Sequence, residues 1–332
     1  MSASTDYWRP SASPERLRQR AALLQRVREF FAARAVTEVD TPLVVNAPVS
    51  DVHIHSATVR LSADPAAAAP LYLHTSPEYA MKRLLAAGSG DIYQICHVVR
   101  GFECGRLHNP EFTLIEWYRV GFSLPRLMEE VEALVRELLG TNAPGASERI
   151  SYRDAFLREL GLDPLSAPET ALAQAAQPLA LGGAGATSAT GLGMSRDDWL
   201  ELLMGAIVGP RLGSGTLTIV HSYPASQAAL ARLDPADPRV AQRFELYCAG
   251  IELANGFHEL ASPAEQRARF AADNAQRRRL GLPVSQLDER LLAALTQLPD
   301  CTGVALGFDR TLMLAVGATS IEEVLAFPTA RA

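Results

Sequence analysis

Gly303-Val304-Ala305-Leu306-Gly307-Phe308-Asp309-Arg310 is a glycine-spaced run that reads as a core strand over Gly303 to Phe308, ends on an arginine and leads into the apolar segment Thr311 to Val316. Far upstream, Val98-Val99-Arg100-Gly101-Phe102-Glu103 repeats the arrangement, and His108-Asn109-Pro110-Glu111-Phe112 follows it. An arginine at the end of each of two core strands suits a sheet that holds a polyphosphate across its face. The guanidinium stays charged and grips phosphate oxygens as a fork.

The rest of the chain is consistent with a protein that buries a large core. It has 332 residues, of which 48% are hydrophobic, enough for one large domain or two modest ones. A formal charge of −6 argues against non-specific coating of nucleic acid, which needs clustered cations. Lys82 is the only lysine, so nearly all basic charge is arginine. Met1 to Pro10 has no apolar stretch of signal-peptide length, and no run approaches the roughly 18 apolar residues of a membrane span. A cytoplasmic protein is expected. Cys96, Cys104, Cys248 and Cys301 lack metal-ligand spacing, and reduced, structural thiols are expected. His53, His55, His97, His221 and His258 form no pattern that sets two on one helix face, and none is assigned a ligand role.

Apolar residues at Leu17, Leu24, Val27, Phe30 and Phe31 predict a helix over Leu17 to Val36. Val36 to Val45 reads as a strand interrupted by Pro42, which cannot donate to a ladder. Ile92 to Arg100 and Phe112 to Val120 predict a long antiparallel hairpin. Helices are expected over Leu127 to Leu139, Arg196 to Val208, Pro263 to Leu280 and Leu287 to Leu298, and further strands over Leu217 to His221, Phe244 to Tyr247 and Ile251 to Phe257. Ala63 to Pro70 and Leu181 to Gly193 read as loops, the latter inside a variable Ala- and Gly-rich stretch from about residue 163 to 215. The pattern is α+β, without regular β-α-β alternation.

Three constellations carry chemistry. In the hairpin, period-two alternation puts Ile92, Gln94, Cys96, Val98 and Arg100 on one face and Phe112, Leu114, Glu116 and Tyr118 on one face of the return strand. With the two strands in register, Arg100, Glu116 and Tyr118 line one cleft. In Phe244 to Glu259, a turn near Ala249-Gly250 sets Glu245 and Glu252 on adjacent strands. Two carboxylates side by side repel unless a cation separates them, which suits Mg²⁺ bound to nucleotide phosphates. In His74-Thr75-Ser76-Pro77-Glu78-Tyr79, Ser-Pro-Glu opens a helix, which is ordinary capping by itself.

Taken together, the strings Ser76 to Tyr79, His108 to Tyr118, Tyr223-Pro224-Ala225-Ser226-Gln227, Gly250 to Leu260 and Gly303 to Gly307 resemble the class II aminoacyl-tRNA synthetases over nearly the whole chain. Within them the resemblance is to the lysyl branch, above all to its stand-alone paralogues, the elongation factor P (R)-β-lysine ligases. Lysyl-tRNA synthetases carry an N-terminal OB-fold for the anticodon, for which a class II helix starting near Leu17 leaves no room. They also tend to have alanine at the position of Ser76 and glycine at that of Ala305.

The resemblance implies a single class II catalytic core over residues 1–332, an antiparallel sheet flanked by helices. It implies a homodimer formed around Pro42, ATP and Mg²⁺ as cofactors, and no tRNA or membrane partner. Arg100 and Arg310 would be catalytic, holding the α- and γ-phosphates, with Gly101, Phe102, Glu103, Asn109, Glu245, Leu246 and Gly307 around the nucleotide. Ser76, Pro77, Glu78, Tyr118, Glu252 and Ala305 would receive the amino acid, and Glu245 and Glu252 would meet the metal through the phosphates. The family's motif reads Arg-x-Glu, whereas here Phe102 stands at the glutamate position and Glu103 follows it. The expected reaction joins (R)-β-lysine, through its adenylate, to a lysine of elongation factor P. The alternatives are a related ligase for α-lysine or another amino acid and a different acceptor, and an inactive regulatory paralogue.

Overall fold

The computed structural model describes residues 8–62, 70–180 and 194–332. The chain falls into two compact units, Met1–Ala143 with Glu259–Ala332, and Pro144–His258. The expected loops at Ala63 to Pro70 and Leu181 to Gly193 lie outside the described residues, save Pro70, as do the first seven residues of the N-terminal stretch.

Helix α1 (Pro14–Ala32) starts earlier than the apolar stripe suggests, because Ser13 Oγ accepts the Arg16 N–H at 3.2 Å and a proline at the first position leaves no N–H unpaired. Its buried Phe31 stacks on Tyr93 at 4.3 Å and meets the edge of Trp117 at 5.3 Å. The strand expected around Pro42 is two pieces, β1 (Thr37–Glu38) and β2 (Val44–Val45), belonging to different sheets. The proline cannot continue a ladder, so the chain crosses from one sheet to the other there. Next come β3 (Thr58–Val59), β4 (Leu71–Leu73), α2 (Glu78–Ala86), β5 (Ile92–Val99), β6 (Glu111–Val120) and α3 (Leu124–Leu139).

The second unit contains β7 (Ala146–Ser151), α4 (Tyr152–Leu160), α5 (Glu169–Ala180), α6 (Arg196–Leu203), β8 (Thr216–Pro224), β9 (Val240–Cys248) and β10 (Ile251–His258). Of these, β7, α4 and α5 carry weak sequence patterns and were not expected. Their apolar residues, among them Tyr152, Phe156 and Leu172, pack with Trp199, Leu203 and Tyr223 into a core of this unit. The chain then completes the first unit with α7 (Pro263–Arg279), α8 (Glu289–Ala294), β11 (Cys301–Gly307) and α9 (Phe308–Ala315).

Pairing in both units is mainly antiparallel, in keeping with the α+β expectation. In the first, β5 pairs with β6 and β6 with β11, while β1 lies parallel to β5. A small separate sheet runs β2-β4-β3. In the second, β8 and β9, and β9 and β10, are antiparallel, and β7 pairs with β8 in parallel, with α4, α5 and α6 between them along the chain. The β9–β10 turn has left-handed φ at both Ala249 (51°) and Gly250 (74°), the geometry of a tight two-residue hairpin. A side chain at Gly250 would strike the Pro210 backbone.

Candidate active site

Hairpin register builds the site in the first unit. Across β5, β6 and β11 the pairs Ile92–Tyr118–Gly303, Gln94–Glu116–Ala305 and Cys96–Leu114–Gly307 form three parallel rows. Directly paired residues point to one side of a sheet and alternate residues share a face, so all nine positions share one surface. Glu116 stands at its centre. A Cβ at Gly303 would overlap the Tyr118 ring and the Glu259 carboxylate, so only glycine leaves room for that tyrosine.

Polar side chains converge on this surface. Tyr118 donates to Glu116 Oε1 at 2.6 Å, and Ser76 Oγ donates to Glu116 Oε2 at 2.7 Å. The same Ser76 oxygen accepts the Glu78 N–H at 3.0 Å, which starts α2 just after Pro77. Glu78 lies 2.7 Å from Lys82 Nζ, one helical turn on, and Lys82 also meets Glu259 at 2.7 Å. Two carboxylates, Glu78 and Glu259, therefore share one ammonium, and the charges of Glu78 and Lys82 both act on the buried Glu116 beside them. Burial, reinforced by Glu78, pushes the Glu116 carboxyl up to about 7. Burial also pushes Glu259 up to about 8 against the pull of Lys82. A buried carboxylate surplus of this kind disfavours full ionisation until a further cation arrives.

The two arginines meet around the loop between β5 and β6. Arg100 lies just past the ladder, its Nε donating to Thr75 O at 3.2 Å and its guanidinium 5.2 Å from the Phe112 ring. Its NH1 lies 3.9 Å from Glu103. Arg310 is not at a strand end as expected. The strand stops at Gly307, and Arg310 falls in the first turn of α9, where Nε donates to Leu107 O at 3.2 Å and the guanidinium reaches His108. Buried Asp309 fixes that turn by accepting the Thr113 N–H at 2.6 Å and pairing with Arg20. Burial and then Arg310 lower the His108 pKa, with Arg100 adding to the effect and Glu103 opposing it. Both guanidinium groups thus act on one imidazole, a local field suited to anions.

The other expected nucleotide residues of this unit take varied positions. Phe102 is 86% exposed with φ 65°, its ring against His55, and backbone N–H of Gly101 is held by His55 O at 2.7 Å. Asn109 uses both ends of its amide within the protein, donating to Glu111 O at 2.6 Å and accepting from Thr329 N–H at 3.0 Å. It ties the loop to the C-terminal segment.

In the second unit Glu245 accepts from Tyr223 and Tyr247, each at 2.6 Å, and from Arg243 at 2.5 Å. It is not directly beside Glu252. The pairs are Glu252–Tyr247 and Asn255–Glu245, with a bulge between Glu252 and Ala254. The extra residue brings Glu252 and Asn255 to the face of Glu245 despite their odd spacing, and sets the two carboxylates diagonally. Leu246 is buried on the opposite face. Among the described residues no three His, Cys, Asp or Glu side chains form a metal-sized group.

The family model described as tRNA synthetases class II (D, K and N) matches residues 4–331. The chain belongs to this class II synthetase family. Its relatives include a protein of Vibrio cholerae named elongation factor P–(R)-β-lysine ligase, 50% identical over 327 residues, 98% of each chain. Proteins of the same name from Hamiltonella defensa and Yersinia enterocolitica are 50% and 48% identical, over 98% of each chain and over 99% of this chain and 100% of that one.

Lys82 and Glu259 lie in this polar cluster, yet sequence reasoning did not single them out. Glu259 lies far along the chain from Glu78, and nothing local marks it. The sole lysine of a 332-residue chain, four residues after Glu78 on a helix, was the available signal. His108 was legible only as part of its string.

Proposed function

We propose that this class II enzyme activates (R)-β-lysine with ATP and transfers it to the ε-amino group of a lysine of elongation factor P. The observation that carries the reading is the group of three carboxyls Glu78, Glu116 and Glu259 around Lys82, which pairs directly with Glu78 and Glu259 and acts on Glu116 only through its field. A diamino acid brings two ammonium groups, and this surplus of buried carboxylate is what such a dication needs. The names of the relatives supply the acceptor and the position of the amino group.

In the first unit Ser76, Pro77, Glu78, Tyr118 and Ala305, joined by Glu116 and Glu259, would receive the amino acid; Glu252 is the amino-acid candidate that the resemblance names in the second unit. Arg100 and Arg310 would bind the phosphates, with Gly101, Phe102, Glu103, Asn109 and Gly307 around the nucleotide. Glu245 and Leu246 are the nucleotide candidates that the resemblance names in the second unit, where the Leu246 side chain faces away from Glu245. The donor set there fits Mg²⁺: two carboxylates share a face with the Asn255 Oδ1, a buried oxygen lacking a hydrogen-bond partner. Bound by Glu245 and Glu252 together with phosphate oxygens, Mg²⁺ would neutralise charge on the triphosphate.

The chemistry has two steps. The substrate carboxylate attacks the α-phosphorus of ATP, a P–O bond forms, and pyrophosphate leaves. The acceptor amine then attacks the acyl carbon of the adenylate, AMP leaves with the bonding pair, and the amine loses a proton to give the amide. The first step needs no general base, since the carboxylate is already ionised; the arginines stabilise charge on the phosphates. Two arginines acting on one loop argue against an inactive paralogue. We further propose a homodimer that uses the segment around Pro42, to be tested by light scattering. Pyrophosphate exchange across a panel of amino acids tests the activity. Strongest exchange with (R)-β-lysine is expected, and exchange confined to another amino acid would overturn the substrate assignment.

A further inference from the structure

Gln94 carries a buried amide that the rest of the protein leaves almost unpaired. It is 1% exposed, and neither its Nε2 nor its Oε1 has a hydrogen-bond partner. The Cys96 thiol, two residues along on the same face, feels the amide as a hydrogen-bonding group, but sulfur is a weak partner and no hydrogen bond of ordinary geometry satisfies either amide atom. A buried amide left in this state costs free energy that an apolar side chain of the same size would avoid, so its presence calls for a ligand to complete it.

Its position says which ligand. Gln94 pairs with Glu116 on one side, and Ala305 pairs with Glu116 on the other, in the central row of the site surface. Neighbouring strands lie about 4.8 Å apart, so the amide and the carboxylate reach a common point above the sheet. Glu116 is already pushed up by burial and by Glu78. A second carboxylate at position 94 would raise it further, whereas an amide offers an acceptor oxygen without adding charge.

We propose that Gln94 is a substrate-reading residue whose Oε1 accepts an N–H of the substrate ammonium facing Glu116, opposite Ala305. This deepens the function proposed above and rests on the site binding an amino acid that carries two ammonium groups.

The test compares wild type with Gln94→Leu and Gln94→Glu in pyrophosphate exchange, with thermal unfolding alongside. Gln94→Leu removes the orphan amide at similar volume, so the protein is expected to fold with an unchanged or raised Tm. Its KM for the amino acid should rise roughly 10- to 100-fold while the KM for ATP stays put. Gln94→Glu retains an acceptor, so it should stay within about threefold of wild-type KM at high pH and fall well behind near neutrality, as carboxyl pairs protonate there. An unchanged amino-acid KM in a folded Gln94→Leu protein would overturn the proposal and leave the amide facing an internal water. If wild type exchanges with a different diamino acid and not with (R)-β-lysine, the substrate reading alone fails, and the same comparison on that amino acid decides the role of Gln94. A wild type that activates only amino acids with a single ammonium group would overturn both.

Discussion

Lys82 Nζ and Glu259 Oε2 lie 2.7 Å apart, with both side chains 1% exposed. The pair fastens α2 to the segment that begins α7's approach, and Glu78 makes the same lysine serve a second carboxylate at 2.7 Å. Ions so deeply buried are held by each other, since desolvation costs several kcal/mol for each. The same lysine thus stabilises the fold and, on the function proposed above, would set the charge that a substrate meets.

Replacing Lys82 with methionine keeps the bulk of the side chain and strands the carboxylates without a cation. A loss of about 3–5 kcal/mol is expected, the range for breaking a buried pair from one side. Urea unfolding of the two proteins measures it; a loss below about 1 kcal/mol would mean that the carboxyls simply take up protons at no cost.

The raised carboxyls make stability and binding depend on pH. Glu116 and Glu259 move from an ordinary 4.5 to about 7 and about 8 in the folded chain. Between those values the folded protein retains protons that the unfolded chain has lost, so this contribution to stability falls as pH rises through the window. A dicationic substrate favours the ionised carboxylates and expels those protons. Binding of (R)-β-lysine near neutrality should therefore release protons and tighten as pH rises. Calorimetry in buffers of different ionisation enthalpy reads the release, and proton uptake would contradict the assignment.

Arg100→Ala and Arg310→Ala are each expected to abolish pyrophosphate exchange while leaving the circular dichroism spectrum unchanged. Arg100 has one backbone acceptor and a distant carboxylate, and Arg310 is fixed on the loop by Leu107 O, so neither is a core element. Undiminished exchange in either variant would remove that arginine from the catalytic step.

Ser76 and Ala305 both bear on Glu116, one through a 2.7 Å hydrogen bond and the other as its neighbour on β11. The double change Ser76→Ala with Ala305→Gly frees one carboxylate oxygen and opens the space beside it. Preference should move from (R)-β-lysine toward α-lysine by about 1–3 kcal/mol, the scale of discrimination by one small group. The ratio of kcat/KM for the two substrates measures this, and a constant ratio would mean that the amino-group position is read elsewhere.

Alternation along β5 and β6 was legible in the sequence, because a strand's side chains change sides at every residue whatever surrounds it. It put Gln94, Cys96, Glu116 and Tyr118 on common faces, and the paired arginine strings with Ser76-Pro77-Glu78 pointed to the chemistry. The α+β class followed from the same local periodicities. Local pattern also failed in definable places. It ran a strand through Pro42, because periodicity does not report which sheet a segment joins. It extended β11 as far as Phe308, because a strand and the first turn of a helix share apolar residues.

Tertiary structure decided what depends on residues distant in sequence. Only strand pairing aligned Ala305 and Gly303 with Glu116 and Tyr118. Only packing delivered Glu259 to Lys82, and only the seat of α9 brought Arg310 to His108. Register and a bulge, which depend on which backbone groups find partners, set Asn255 rather than Glu252 opposite Glu245. The types of group available to the site were written along the chain; which of them share a charge was decided by the fold, since Coulomb interactions act through distances in space and burial sets their strength.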